Sequence, residues 1–178
     1  MENDTWRTPP EVFAYFNADY DFKVDVCASK DNALCIDFID EKENALKSAW
    51  YGTDGNTIFY NGHYVWCNPP YSNPLPFVKK AIEQSQAKGI GTALLLNHDM
   101  STRWASILLV HKIEIIVFTK KRIAFLNEKG VPVKGNSKGQ FVAIIPPYVR
   151  EGNPDTTYVD LDFVMMQGGK YLEMEKAA

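Results

Sequence analysis

Asn68-Pro69-Pro70-Tyr71 is a run whose residue types, in this order, can do chemistry at a single atom. Two consecutive prolines fix φ and carry no N–H, so the carbonyls beside them are rigidly aimed. The Asn68 side chain adds one more carbonyl acceptor. Asn68 Oδ1 and the Pro69 carbonyl then form a pair of acceptors directed at one point, and the guest that fits them is an –NH2 group. An amine on an aromatic ring, such as adenine N6, is a poor nucleophile because its lone pair is delocalised. Two acceptors draw both hydrogens to one side and favour a pyramidal nitrogen. They also stabilise the positive charge that develops as nitrogen attacks a methyl group. Tyr71 offers a flat face on which a base extruded from a duplex can stack. The plainer reading is a strand-to-helix turn with prolines at favourable positions.

The elements around the run position it. YVWC (64–67) reads as a short buried strand and LPFVKKAIEQSQAKG (75–89) as an amphipathic helix stopped by Gly89. Upstream, Pro9-Pro10 opens a helix over EVFAYFNADY, and FKVDVC (22–27) alternates as a strand. Residues 28–62 read as irregular, with one helical turn around NALKSAW. Downstream, TALLLN (92–97) has the unbroken apolar character of a strand covered on both faces. STRWASILLV is a helix capped by Ser101 or Thr102, and IEIIVFT (113–119) is a strand. RIAFLN and QFVAIIPP read as two further strands around a Gly/Lys loop, forming an antiparallel hairpin at a sheet edge. YVDLDFVMM reads as an added edge strand and GGKYLEMEKAA as a frayed tail. Strands alternating with helices predict an α/β fold with a mostly parallel, Rossmann-like sheet. In such sheets the ligand crevice lies outside the carboxyl ends of the strands. DVCASKDN, NPPY and NHDMSTR all fall at such ends.

The bulk numbers bound the rest. At 178 residues and 46% hydrophobic content the chain has the length of one domain with a substantial core. No apolar run approaches the roughly 18 residues of a membrane span. Cys27, Cys35 and Cys67 form no CxxC pair, and His63, His98 and His111 are scattered, so no metal site is expected. A reducing, cytoplasmic setting fits. Trp50 and Trp66 read as core and Cys67 as a small buried filler. The net charge of −3 hides an asymmetry. Residues 1–63 carry 12 acids against 5 bases, whereas residues 112–150 carry 8 bases against 2 acids. A basic surface for a polyanion is one reading, and an ordinary solvated lysine-rich face is the other. Arg103 in NHDMSTRW reads either as a crevice wall on phosphate or as a partner of Asp99 beside a helix cap. Lys121 and Arg122, together with Lys134 and Lys138 in the loop from Glu128 to Gly139, are the candidate contacts for such a polyanion, or solvated edge-strand and loop residues.

WRTPPEVF, FKVDVCASKDNALC, ENALKSAW, VWCNPPYS, LLNHDMSTRW and KRIAF together resemble the phage-encoded DNA N6-adenine methyltransferases, a Dam-type family, over about residues 5–145. The resemblance implies a single class I S-adenosylmethionine-dependent methyltransferase domain over residues 1–178. Its core covers about 5–147, with 148–178 as a C-terminal extension. It implies that Asn68, Pro69, Pro70 and Tyr71 are the catalytic motif. It places the cofactor S-adenosylmethionine against Trp6, Thr8 and Pro9, against Asp25, Cys27, Ala28 and Ser29 after the first strand, and near Asn44. Relatives often carry Asp at that last position, and Asp40, Glu41 and Glu43 are alternatives for the adenosine half. The usual glycine loop after the acid is absent from DVCAS, a reduction the family shares. The implied activity is site-specific N6-adenine methylation of DNA in the cytoplasm of a bacterial host, protecting phage DNA from restriction. RNA adenine, cytosine N4 and protein glutamine are alternative amines, and a non-catalytic DNA-binding module is the alternative outside enzymes.

Overall fold

A computed structural model of the chain describes residues 2–51 and 62–177. Part of the stretch read as irregular, 52–61, lies outside the described residues. After a 3₁₀ turn at Glu2–Thr5, the helix α1 spans Pro10–Tyr20. Pro9 is its N-cap with extended backbone and Pro10 its first helical residue, where a missing N–H costs nothing. The strands β1 (Val24–Asp25), β2 (Asp37–Phe38) and β3 (Tyr64–Cys67) follow, then α2 (Leu75–Lys88) and β4 (Gly91–Asn97). α3 (Arg103–Val110), β5 (Glu114–Thr119), β6 (Gln140–Ile145), β7 (Asp155–Asp160) and α4 (Leu161–Ala177) complete the order.

The seven strands form one sheet in the order β2-β1-β3-β4-β6-β5-β7. All neighbours pair in parallel except those of β6, which runs antiparallel to both β4 and β5. β4 and β6 are central and buried on both faces, which is why neither alternates. One face of the sheet packs Val65, Cys67, Leu94 and Leu96 against α2 and α3. The other packs Trp66, Ala93, Leu95 and Val142 with Phe13 and Phe16 of α1 and Val164 of α4. Trp50, Trp66 and Cys67 are fully buried, as expected.

Five readings are corrected. The antiparallel element is not an edge hairpin, because β6 inserts between β4 and β5 and the edge belongs to β7. RIAFLN forms no strand. Its Ile123 and Phe125 are buried, but its backbone is bonded by the N-terminal segment and its own loop, through bridges of Leu126 with Arg7 and with Pro132. The expected frayed tail is helical, because Val164 and Gly168 of α4 bury against the sheet face that carries α1. YVDLDFVMM divides at Leu161 between a strand and that helix. The first strand is shorter than FKVDVC, and β2 went unforeseen because two residues carry no periodicity.

Candidate active site

Asn68 leaves β3 directly after the buried Cys67. Its Nδ2 donates to the Trp6 carbonyl at 3.2 Å. A carbonyl only accepts, so this bond fixes which end of the amide faces which way. The other end, Oδ1, is buried and has no hydrogen-bond partner. Among the described residues no hydrogen bond reaches the Pro69 carbonyl, whereas the Pro70 carbonyl is taken by the Asn73 N–H at 3.2 Å. The turn therefore holds two idle acceptors on consecutive residues. Burying a polar group without a partner costs on the order of 1–3 kcal/mol, and such a cost is tolerated where a ligand completes the bond.

The N-terminal segment supports this turn. Arg7 exchanges backbone hydrogen bonds with Leu126 at 2.8 and 2.9 Å, and Asp4 accepts from the Ser72 N–H at 2.9 Å. The Trp6 ring stacks on Phe125 with centroids 5.6 Å apart, and Tyr71 meets the same Phe125 edge to face at 5.7 Å. The Tyr71 hydroxyl is buried without a partner. Burial, with Cys67 nearby, pushes its pKa well above the ordinary tyrosine value, so it stays a neutral hydroxyl.

Two larger hollows flank the turn. On one side a cavity of about 490 Å³ is lined by Cys27, Ala28, Glu41, Asn44, Asn68 and Pro70, at the carboxyl ends of β1, β2 and β3. A recess of about 50 Å³ beside it reaches Thr8, Asp25, Trp66 and Asn68. The buried Asp25 carboxylate accepts from the Leu34 N–H at 3.2 Å and the Cys27 N–H at 3.5 Å. Burial pushes its pKa up to about 6, and the two N–H donors only partly offset that. Thr8 Oγ1 and Trp66 Nε1 are buried without partners. On the other side of the turn a cavity of about 590 Å³ is lined by Trp6, Tyr71, Asn97, Asn136, Lys134 and Lys138.

Of the residues singled out in the sequence, Trp6, Thr8, Asp25, Cys27, Ala28, Asn44, Asn68, Pro70 and Tyr71 line these hollows. Pro9 instead starts α1, its carbonyl accepting from Val12 and Phe13. Ser29 closes a tight turn on Asn32 Oδ1. Asn44 adopts a left-handed backbone at φ 59°, which an Asn or Asp tolerates best, and its Oδ1 accepts from the Leu46 N–H. Asp40 Oδ1 is likewise occupied by the N–H groups of Lys42 and Glu43. Glu43 lines a different hollow, which leaves Glu41 facing the 490 Å³ cavity with no such backbone cap.

The basic candidates separate. Lys134 and Lys138 stand at the 590 Å³ cavity, and Lys138 lies 4.0 Å from Asp99. Arg122 donates to the Asn136 carbonyl and so anchors the loop carrying those lysines. Lys121 pairs with Asp162 of α4 at 2.7 Å. Arg103 is exposed at the start of α3, whose cap is Thr102 Oγ1, and Asp99 turns to Ser101 and Lys138 instead. Asp4 was missed, since a single acid in a polar terminus carries no motif, and Asn97, though it opens the strand-end cluster NHDMSTR, was not singled out within it. Among the described residues no cluster of three or more His, Cys, Asp or Glu could hold a metal, and no helix is long and apolar enough to cross a membrane.

The family model described as DNA N-6-adenine-methyltransferase (Dam) matches residues 1–171. A DNA N-6-adenine-methyltransferase of Haemophilus phage HP1 is 36% identical over 172 residues, covering 94% of this chain and 92% of the relative. A second, of Escherichia phage T1, is 34% identical over 171 residues, covering 87% of this chain and 67% of that protein. No solved structure gives a significant match.

Proposed function

We propose that this chain, which belongs to the DNA N-6-adenine-methyltransferase (Dam) family, binds S-adenosylmethionine at the carboxyl ends of β1 and β2 and meets its target adenine across the Asn68–Tyr71 turn. It is a DNA N6-adenine methyltransferase, and in this reading its sheet is that of a class I S-adenosylmethionine-dependent enzyme. β7 and α4 extend the same sheet and helix layer, which supports one methyltransferase domain over residues 1–178. Modification of phage or prophage DNA inside a bacterial host is the role it serves.

The observation that carries the reading is Asn68. Its amide is oriented by the Trp6 carbonyl, and its buried Oδ1 is left without a partner at a turn walled by a hollow on each side. Asn68 Oδ1 and the Pro69 carbonyl each accept one hydrogen of the adenine amino group and hold its lone pair toward the cofactor cavity. As positive charge grows on N6 these fixed dipoles are already in place, so no reorganisation is needed. Tyr71 and Trp6 supply aromatic faces on the side from which the base enters.

The cofactor cavity suits the group it would hold. About 490 Å³ lies within the usual range for small-molecule sites. The recess offers Asp25 to an ammonium, and the unpartnered Thr8 hydroxyl and Trp66 N–H can satisfy a carboxylate. Glu41, just beyond β2, is placed for a ribose diol, as acids after the second strand are in dinucleotide folds. S-adenosylmethionine supplies a methyl already activated on a sulfonium, so the protein needs to provide position, dryness and acceptor dipoles.

The test incubates the protein with S-adenosylmethionine and unmethylated DNA, digests the DNA to nucleosides and measures N6-methyladenine by mass spectrometry. Asn68→Ala should lower the yield by about 10²–10³-fold, as loss of one preorganised dipole does elsewhere. Cofactor binding without any N6-methyladenine would overturn the reading and point to RNA adenine, cytosine N4 or protein glutamine as the amine. Loss of both would leave a DNA-binding module.

A further inference from the structure

Gln140 is a polar side chain only 1% exposed, at the start of β6, and the sheet pairs it with Asn97 at the end of β4. Its amide orientation is set by backbone groups that cannot reverse. The Ile123 N–H donates to Gln140 Oε1 at 3.3 Å, and Gln140 Nε2 donates to the Lys138 carbonyl at 2.8 Å. The same Nε2 donates to Asn97 Oδ1 at 3.2 Å. This chain of bonds fixes Asn97 in turn. Its oxygen faces Gln140, so its Nδ2 must be the end left over, and among the described residues that NH2 makes no hydrogen bond.

Register says which face of the sheet carries Asn97. Trp66, Ala93 and Leu95 share the sheet face that carries α1, and side chains two apart on a strand share a face. Asn97 continues that row from Leu95. Asn68 follows Trp66 by two residues and reaches Trp6, which packs on the same face. Two asparagines thus stand at the ends of adjacent strands on one face. One presents a free acceptor and the other a free donor, and Asn97 lines the 590 Å³ cavity with Tyr71.

We infer that Asn97 is a base-reading residue, whose Nδ2 donates to the unprotonated ring nitrogen beside the amino group, adenine N1. The inference rests on the adenine reading above and adds a specificity to it. An acceptor for the amino hydrogens and a donor for N1 together match the Watson–Crick edge of adenine, a pattern cytosine shares and guanine and thymine lack. Guanine and thymine carry a hydrogen on the corresponding ring nitrogen and would oppose the Asn97 NH2. Gln140 is the positioning residue that keeps Asn97 from turning over.

Asn97→Asp tests this cleanly. The aspartate keeps an oxygen for Gln140 Nε2 and puts an anionic acceptor where the donor faced the cavity. A merely structural Asn97 predicts wild-type behaviour. Base reading predicts single-turnover methylation at saturating DNA slower by about 10–100-fold, the worth of a good base contact, with unchanged cofactor affinity by calorimetry. An Asn97→Asp protein that methylates at the wild-type rate overturns the inference alone. Wild-type protein that binds cofactor but forms no N6-methyladenine overturns the parent reading and this one with it. If the variant does not fold, wild-type protein is assayed on a sequence-randomised duplex containing 1-deazaadenine in place of adenine. A fall of the same size supports N1 reading, and an undiminished rate overturns it.

Discussion

The Asn68 side chain donates to the Trp6 carbonyl at 3.2 Å, a bond that joins residues 62 positions apart. The amide proposed to meet the substrate is thus oriented by the N-terminal segment rather than by its own turn. Asn68→Asp keeps an acceptor for the amino group but removes the donor and leaves the Trp6 carbonyl facing an anion. Methyl transfer should fall by roughly tenfold, the scale of one carbonyl left unpaired, well short of the Asn68→Ala loss. Single-turnover rates of the two variants side by side measure the difference.

Asp25 predicts a pH dependence of definite sign. Its folded pKa is raised from 3.8 to about 6 by burial. A carboxyl that prefers its proton in the folded state stabilises the fold at low pH. That contribution is complete below pH 4 and is lost as pH rises through about 6. Its size is on the order of 2–3 kcal/mol. Asp25→Asn should flatten this part of the stability profile between pH 4 and 7, read by urea unfolding of the cofactor-free protein. Cofactor affinity of the wild type should rise over the same window as the carboxylate ionises toward the cofactor ammonium, and the variant should lose that rise.

Lys134 and Lys138 line the cavity proposed for the base and sit on a loop anchored by Arg122. Phosphate contacts release counterions, so each lysine that makes one adds about 0.9 to the slope of log affinity against log salt. Replacing both with alanine should reduce that slope by nearly two in a DNA titration. Lys121→Ala, which breaks only the Asp162 ion pair, should leave it unchanged.

Gly168 and Gly169 are neighbours in α4 with opposite surroundings. A Cβ on Gly168 would run into the Glu11 carbonyl of α1, whereas one on Gly169 meets nothing within 4 Å. Gly168→Ala forces the helices apart, at about 1–3 kcal/mol, and should lower Tm by several degrees. Gly169→Ala should leave Tm unchanged or raise it, because alanine is the better helix former by about 1 kcal/mol. A differential melting scan of the two variants tests whether α4 is part of the folded unit.

Legibility in the sequence followed the range of the forces involved. The Asn68–Tyr71 turn, the flanking strand and helix, the buried β4 and the proline start of α1 are dictated by neighbours within one element. Proline geometry, hydrophobic period and cap residues therefore announced them. Asp25 is different: within FKVDVC it reads only as a polar position of an alternating strand, and the family resemblance alone singles it out.

Tertiary structure decided the rest. Ile123 and Phe125 alternate as a strand does, yet Arg7 and Pro132 take the backbone bonds of Leu126, and no local pattern encodes that competition. β6 and the predicted edge hairpin differ only in which strand offers the next free edge, a choice made by packing across the whole sheet. The fixed orientations of Asn68 and Asn97 depend on a carbonyl at Trp6 and an amide at Gln140, each far away in sequence. An asparagine in a sequence is both donor and acceptor. Only the partners that the fold brings to it determine which end the substrate will meet.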